Sequence, residues 1–186
     1  MKSLVLNLFG GPGVSKSTTA AGVFTLLKMH NVNCEIVSEV AKDFVWDDHN
    51  RGLEDQLYVF GKQHHRVWRL NNIVDVIITD SPLLLSIIYK GKKVPKSLDA
   101  LVIDTFNTYN NVNILLKRKD LSTYEAVGRL QTSNESTDID NEVELMLYRS
   151  NIAYDILTAD YTVVNKLAKL MLTHLGVSQK YTIKED

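Results

Sequence analysis

The chain has 186 residues and a mass of 21.0 kDa, the length of one domain and too little for two ordinary ones. Its 45% hydrophobic and 23% charged residues are typical of a globular protein, which excludes a disordered chain, a collagen-like repeat and a coiled-coil rod. The 21 Lys and Arg against 22 Asp and Glu leave a formal charge of -1, so no overall field draws in a polyanion and a DNA partner is not favoured. The single cysteine, Cys34, can form neither an internal disulfide nor a cysteine-based zinc site, which fits a reducing compartment. No run of about 18 apolar residues is available to span a bilayer. Met1 to Phe9 lacks the charged region, long apolar stretch and cleavage site of a signal peptide. A single cytoplasmic domain with no membrane partner is the expectation.

Apolar β-branched segments alternate with longer stretches of helical spacing, the pattern of an α/β protein with a parallel sheet. Leu4 to Phe9 reads as a first strand, ended by Gly10-Gly11-Pro12-Gly13. Lys16 to Met29 follows as a helix, with Ala20, Val23, Phe24 and Leu27 on one side. A second strand fits Asn33 to Ser38, and a helix fits Leu53 to Asn72, which carries no proline and one glycine, Gly61. Val74 to Thr79 is nearly continuous in β-branched residues, as in a strand covered on both faces. It ends at Asp80-Ser81-Pro82, and Pro82 suits the first turn of a following helix. A fourth strand fits Val112 to Leu116. After it, a polar stretch of about 117–137 reads as a lid bearing Arg118 and Arg129. Helical spacing returns from Ile139 to Ile152, a fifth strand fits Tyr154 to Leu157, and a last helix fits Val163 to Leu175.

Gly10 to Ser17 nearly matches the phosphate-loop pattern G-x-x-x-x-G-K-[ST], and it lies between a strand and an apolar-faced helix as that pattern requires. Backbone N–H groups of Gly11, Pro12's neighbours, Gly13, Val14 and Ser15 would turn inward around a phosphate, with the helix N-terminus adding partial positive charge. Lys16 would reach the β- and γ-phosphates, Ser17 would ligate Mg²⁺, and Thr18 would touch the α-phosphate. Ser15 stands where the pattern has glycine. A side chain is tolerated there if the backbone is helical, but is strained if the position needs a positive φ.

In open parallel sheets, ligands bind beyond the carboxyl ends of the strands, so acids at those ends lie near the loop. Asp80 closes the third strand, the place of a metal-holding acid, although an N-cap role would also suit it. Glu39, in Ser38-Glu39-Val40-Ala41-Lys42, could take the proton of an attacking hydroxyl, or simply complement a helix dipole. Arg118 and Arg129 could close onto a transferring phosphate, with Lys117 and Lys119 beside the first. Gln56 and Gln63 lie two turns apart on one helical face, with Tyr58 and Phe60 nearby. They form a possible base-reading wall or the ordinary face of an amphipathic helix. Adjacent His64 and His65 point apart on a helix and make a poor metal pair.

GGPGVSKSTTAAGVF, SEVAKDFVW, DQLYVFGKQHHR, DVIITDSPLLLS and GRLQT together resemble a group of phage-type P-loop proteins often described only as ATP-binding. These are similar in turn to the nicotinamide riboside kinase and deoxynucleoside kinase branch. The resemblance runs from Leu4 to about Ile152. It implies a P-loop NTPase fold with a five-stranded parallel sheet and an arginine-bearing lid, and ATP with Mg²⁺ as cofactors. It also implies Lys16 and Ser17 for ATP and metal, Asp80 as metal acid, Glu39 as acceptor-side carboxylate, and Arg118 and Arg129 as lid arginines. Lys42, Gln56, Phe60 and Gln63 complete the expected acceptor side. The expected reaction transfers the γ-phosphate to a hydroxyl of a nucleoside, a nucleotide or a hydroxymethylated pyrimidine, the last free or within DNA. The alternative is an ATPase switch working with a protein partner.

Overall fold

A computed structural model of the chain describes residues 2–47, 50–91, 94–118 and 133–183. Five parallel strands form one sheet: β1 (Leu4–Phe9), β2 (Cys34–Val37), β3 (Val76–Thr79), β4 (Asn110–Lys117) and β5 (Asp155–Thr158), in the order β2-β3-β1-β4-β5. Side chains alternate between its faces. Val5, Phe9, Ile77 and Leu115 enter one apolar cluster, whereas Leu6, Leu8, Val76, Ile78, Ile114 and Leu116 enter the other. Burial on both sides explains why β1 and β3 read as near-continuous apolar runs.

One face is covered by α1 (Lys16–Met29) and α7 (Val163–His174). The opposite cluster takes residues of α3 (Gln56–Trp68), α4 (Leu85–Tyr89), α5 (Ser97–Asn107) and α6 (Ser133–Arg149). A further helix, α2 (Val40–Trp46), and a 3-10 turn at Asn50–Glu54 stand beside α3. They share a small cluster of Val40, Phe44, Val59 and the half-buried Leu53. No described helix is long and apolar enough to cross a membrane.

Several boundaries differ from the sequence expectations. The single helix expected over Leu53 to Asn72 is divided, because the Asp55 carboxylate accepts the Tyr58 N–H at 3.1 Å and caps a new helix at Gln56. The helix expected from Ile139 starts at Ser133, and β4 runs through Lys117. Both ends of the expected lid therefore belong to regular elements, and Lys119 and Arg129 lie outside the described residues. α5 was not expected, and a helix after Glu39 entered only as the alternative role for that residue. In α5 the buried residues Leu98, Val102 and Phe106 recur every fourth position, the spacing of one helical face.

The register makes the site. Val37 and Asn7 both pair with Thr79, so β1, β2 and β3 run level towards the same end of the sheet. The residues just beyond them are the glycine loop, Glu39 and Asp80.

Candidate active site

The loop from Gly10 to Ser15 is shaped by three residues with positive φ: Gly10 at 137°, Gly13 at 82° and Ser15 at 62°. Gly10 has a second constraint, because a Cβ there would lie 2.7 Å from Val14 Cγ1 and 3.0 Å from the Leu116 carbonyl oxygen. Ser15 is the N-cap of α1 and adopts the left-handed conformation, so the helical backbone that would accommodate its side chain is absent. The strain is about 1–2 kcal/mol for a non-glycine residue. Its hydroxyl makes no capping hydrogen bond and no acid stands in the first turn of α1, a combination suited to an anion at the helix N-terminus. Lys16 Nζ donates to the carbonyl oxygens of Gly10 at 2.7 Å and Gly11 at 2.8 Å, so its ammonium spans the loop. Burial pulls its pKa from an ordinary 10.5 down to about 8, against the opposing pull of the Glu39 and Asp80 carboxylates.

Ser17 Oγ donates to Asp80 Oδ2. Lys42 Nζ lies 2.7 Å from Ser17 Oγ, 3.2 Å from Asp80 Oδ2 and 3.7 Å from Glu39 Oε2. Asp80 is buried, and its Oδ1 has no hydrogen-bond partner among the described residues. A hard oxygen beside a serine hydroxyl suits a divalent cation that draws its remaining ligands from phosphate and water. Among the described residues no three His, Cys, Asp or Glu side chains converge to hold a metal by themselves. Glu39 is the N-cap of α2 but makes no side-chain cap, which leaves its carboxylate turned to this cluster. Burial raises the Glu39 pKa above its ordinary 4.5, while the ammonium groups of Lys16 and Lys42 work the other way.

These groups open into a cavity of ≈ 550 Å³, a suitable volume for a small ligand. Pro12, Gly13, Ser15, Lys16, Ser17 and Thr18 line one end, and Glu39, Lys42, Gln56, Gln63 and Asp80 line the rest with Trp46 and Tyr89. Besides Arg118, described below, three expected residues are placed elsewhere. Val14 is buried in the core beneath the loop, and Gly11 donates its N–H to Asp140 Oδ1 at 2.5 Å. Phe60 packs in the core and stacks against His64, so it does not contribute to the cavity wall. Gln63 lines the cavity, but its amide is engaged by the backbone: Oε1 accepts the Val40 N–H at 2.9 Å and Nε2 donates to the Ser38 oxygen at 3.3 Å. It thereby clasps the turn that carries Glu39. Gln56 donates to the Leu53 carbonyl at 2.7 Å.

No protein-family model matches the sequence, and no curated protein matches it. Among solved structures, deoxyadenosine kinase from M. mycoides with bound dATP is similar at a TM-score of 0.54 and 18% identity, over 92% of this chain and 99% of that one. The same kinase with products dCMP and a flexible dCDP bound gives 0.52 and 16%, over 92% and 98%. The chain has a P-loop NTPase fold.

Within that fold the P-loop is braced from outside the cavity. Arg118, one residue past β4, donates to the Pro12 carbonyl at 2.7 Å and to Asp140 Oδ2 at 2.8 Å. Asp140 in turn holds Gly11. Arg118 was expected over the transferring phosphate; here its side chain supports the P-loop, and it is not among the residues lining the cavity. Asp140, Trp46 and Tyr89 were not anticipated. Asp140 lies in a polar helix with nothing local to distinguish it, and Tyr89 ends a five-residue helix. Trp46 offered a signal, since it follows Glu39 by seven residues on the same short helix and so lies near its face. Desolvation pushes the pKa of the partly exposed Tyr89 phenol above its ordinary value, reinforced by the carboxylates of Glu39, Asp140 and Glu142.

Proposed function

We propose that the protein is a Mg·ATP-dependent kinase that transfers the γ-phosphoryl group to a hydroxyl of a nucleoside-class acceptor. One observation carries this reading: phosphate-loop Lys16 and Ser17 share a single cavity with the half-buried Glu39 and the buried Asp80. The P-loop amides and Lys16 grip the triphosphate. Ser17 and Asp80 would hold Mg²⁺, whose chemistry at that place is to neutralise charge on the β- and γ-phosphate oxygens. Glu39, raised by burial, takes the proton of the acceptor hydroxyl as its oxygen bonds to the γ-phosphorus and the bond to the β-phosphate oxygen breaks.

Among the described residues, the cations lining the cavity are Lys16 and Lys42, with no arginine among them. Such a wall suits a sugar hydroxyl on an uncharged nucleoside better than a nucleotide carrying its own phosphate. Gln56 reads a base edge and Trp46 or Tyr89 supplies a flat face, and the deoxyadenosine kinase likeness points the same way. Hydroxymethylated pyrimidines, free or in DNA, rank next among acceptors. They would link the protein to base modification in a phage-infected cytoplasm. Arg129 retains the role of lid arginine in this proposal.

The decisive experiment is an acceptor screen. ADP formation is followed with each nucleoside, each nucleotide and hydroxymethylated DNA, and stimulation by a nucleoside is expected. If ADP release ignored every acceptor and rose only with a protein partner, the protein would be a switch and not a kinase.

A further inference from the structure

Lys42 raises a question that the kinase reading leaves open. Asp80 is only 5% exposed, and a carboxylate so far from water needs a compensating cation. Lys16 does not provide one by direct contact, since its ammonium is hydrogen-bonded to the carbonyls of Gly10 and Gly11. Lys42 does, at 3.2 Å from Asp80 Oδ2 and 3.7 Å from Glu39 Oε2. One turn of α2 brings it to the same side as Glu39.

The hydrogen bonds define what can share the site. Ser17 gives its hydrogen to Asp80 and accepts from Lys42 at 2.7 Å, so the oxygen that would ligate a metal is already engaged with an ammonium. A divalent ion on Ser17 Oγ and the Lys42 ammonium would crowd the same oxygens with like charge.

We propose that Lys42 is the resident counter-cation of the metal site, holding Ser17, Asp80 and Glu39 together in the nucleotide-free protein and giving way when metal arrives on the nucleotide. The exchange makes and breaks no covalent bond. It leaves the free enzyme unresponsive to free metal ions, which bind only with the triphosphate that adds its own oxygen ligands. The displaced ammonium remains in the cavity that Lys42 lines. This proposal rests on the assignment of Ser17 and Asp80 as the metal-holding pair.

The test uses the full chain without nucleotide, with Mn²⁺ as the probe and the electron paramagnetic resonance signal of free Mn²⁺ as the readout. Wild type should show no site up to about 1 mM Mn²⁺, whereas Lys42→Met, which leaves Asp80 and Glu39 with no ammonium in direct contact, should gain one site of about 0.1 mM or tighter. Lys42→Arg should remain blind to the ion, and Lys42→Met combined with Asp80→Asn should lose the gained site. Removing a merely structural or substrate-binding lysine would not create metal affinity. Tight Mn²⁺ binding by wild type, or no gain in Lys42→Met, would overturn the proposal. Tight binding by wild type would overturn the proposal even if the variant is unstable. An absence of phosphoryl transfer in the acceptor screen would leave this readout unaffected, so the two readings fail separately.

Discussion

The two ends of the cavity are built differently. The proposed donor end is backbone: eight consecutive residues with three positive φ angles, anchored by Val14 in a large core and braced by Arg118 and Asp140. The proposed acceptor end is made of side chains from α2, the 3-10 turn, α3 and α4, and among the described residues α2 rests on a cluster with only Val40, Phe44 and Val59 buried. A site fixed by main-chain geometry in a large core tolerates little adjustment, whereas a wall on a small cluster can open locally at low free energy. On the kinase reading proposed above, the difference suits a constant triphosphate at one end and a variable acceptor at the other.

Substitutions at either end test that contrast, and the largest effect should come from the donor side. Lys16→Ala removes the charge on the transferring phosphate and should lower kcat/KM by about 10³-fold or more in steady-state assays, whatever the acceptor. Glu39→Gln should lower kcat by about 10²–10³-fold, with triphosphate affinity unchanged by calorimetry. Equal losses of affinity in both variants would erase the distinction between the ends.

Phe44→Ala removes the centre of the small cluster. It should raise acceptor KM about tenfold and speed hydrogen exchange of the α2 amides, with the triphosphate Kd unchanged. Coupled changes at both ends would show one rigid unit instead.

The pH dependence sharpens the donor side. Free Lys16 loses its proton above about 8, while triphosphate-bound Lys16 would keep it. Triphosphate affinity should therefore weaken as pH rises through about 8, by up to about tenfold per unit, and binding there should take up protons. Calorimetry in buffers of different ionisation enthalpy measures that uptake. On the acid side, kcat/KM should fall at a pH above the ordinary glutamate value of 4.5, because the carboxylate proposed as base titrates high.

The smallest effect belongs to Ser15→Gly. Relief of the left-handed strain should stabilise the protein by about 1 kcal/mol in thermal unfolding, and a loss of stability would show that the Ser15 side chain has a role of its own.

Much of the donor end was legible because it is local. A strand, a glycine turn, a lysine and a hydroxyl follow one another, and each signal acts within a few residues of its cause. The sequence also marked Glu39 and Asp80, since both follow apolar runs that end at the same edge of the sheet. The division of labour among the glutamines was not legible. Gln56 and Gln63 share a helical face, yet only the fold brings the Ser38–Val40 backbone against Gln63 and leaves Phe60 in the core. Arg118 and Asp140 meet the loop across 106 and 129 positions of chain, a pairing that no local pattern encodes.

By itself the sequence determined the parallel α/β class and put the glycine loop and the two acids at one edge of the sheet, because strand alternation, glycine torsions and helix starts arise from short-range sterics. Only the tertiary structure decided which side chains face the cavity, that Lys42 sits on the serine and aspartate proposed to hold metal, and that Ser15 is left-handed. Those outcomes depend on strand register and on burial between segments far apart in the chain, where packing and charge compensation outweigh local preference.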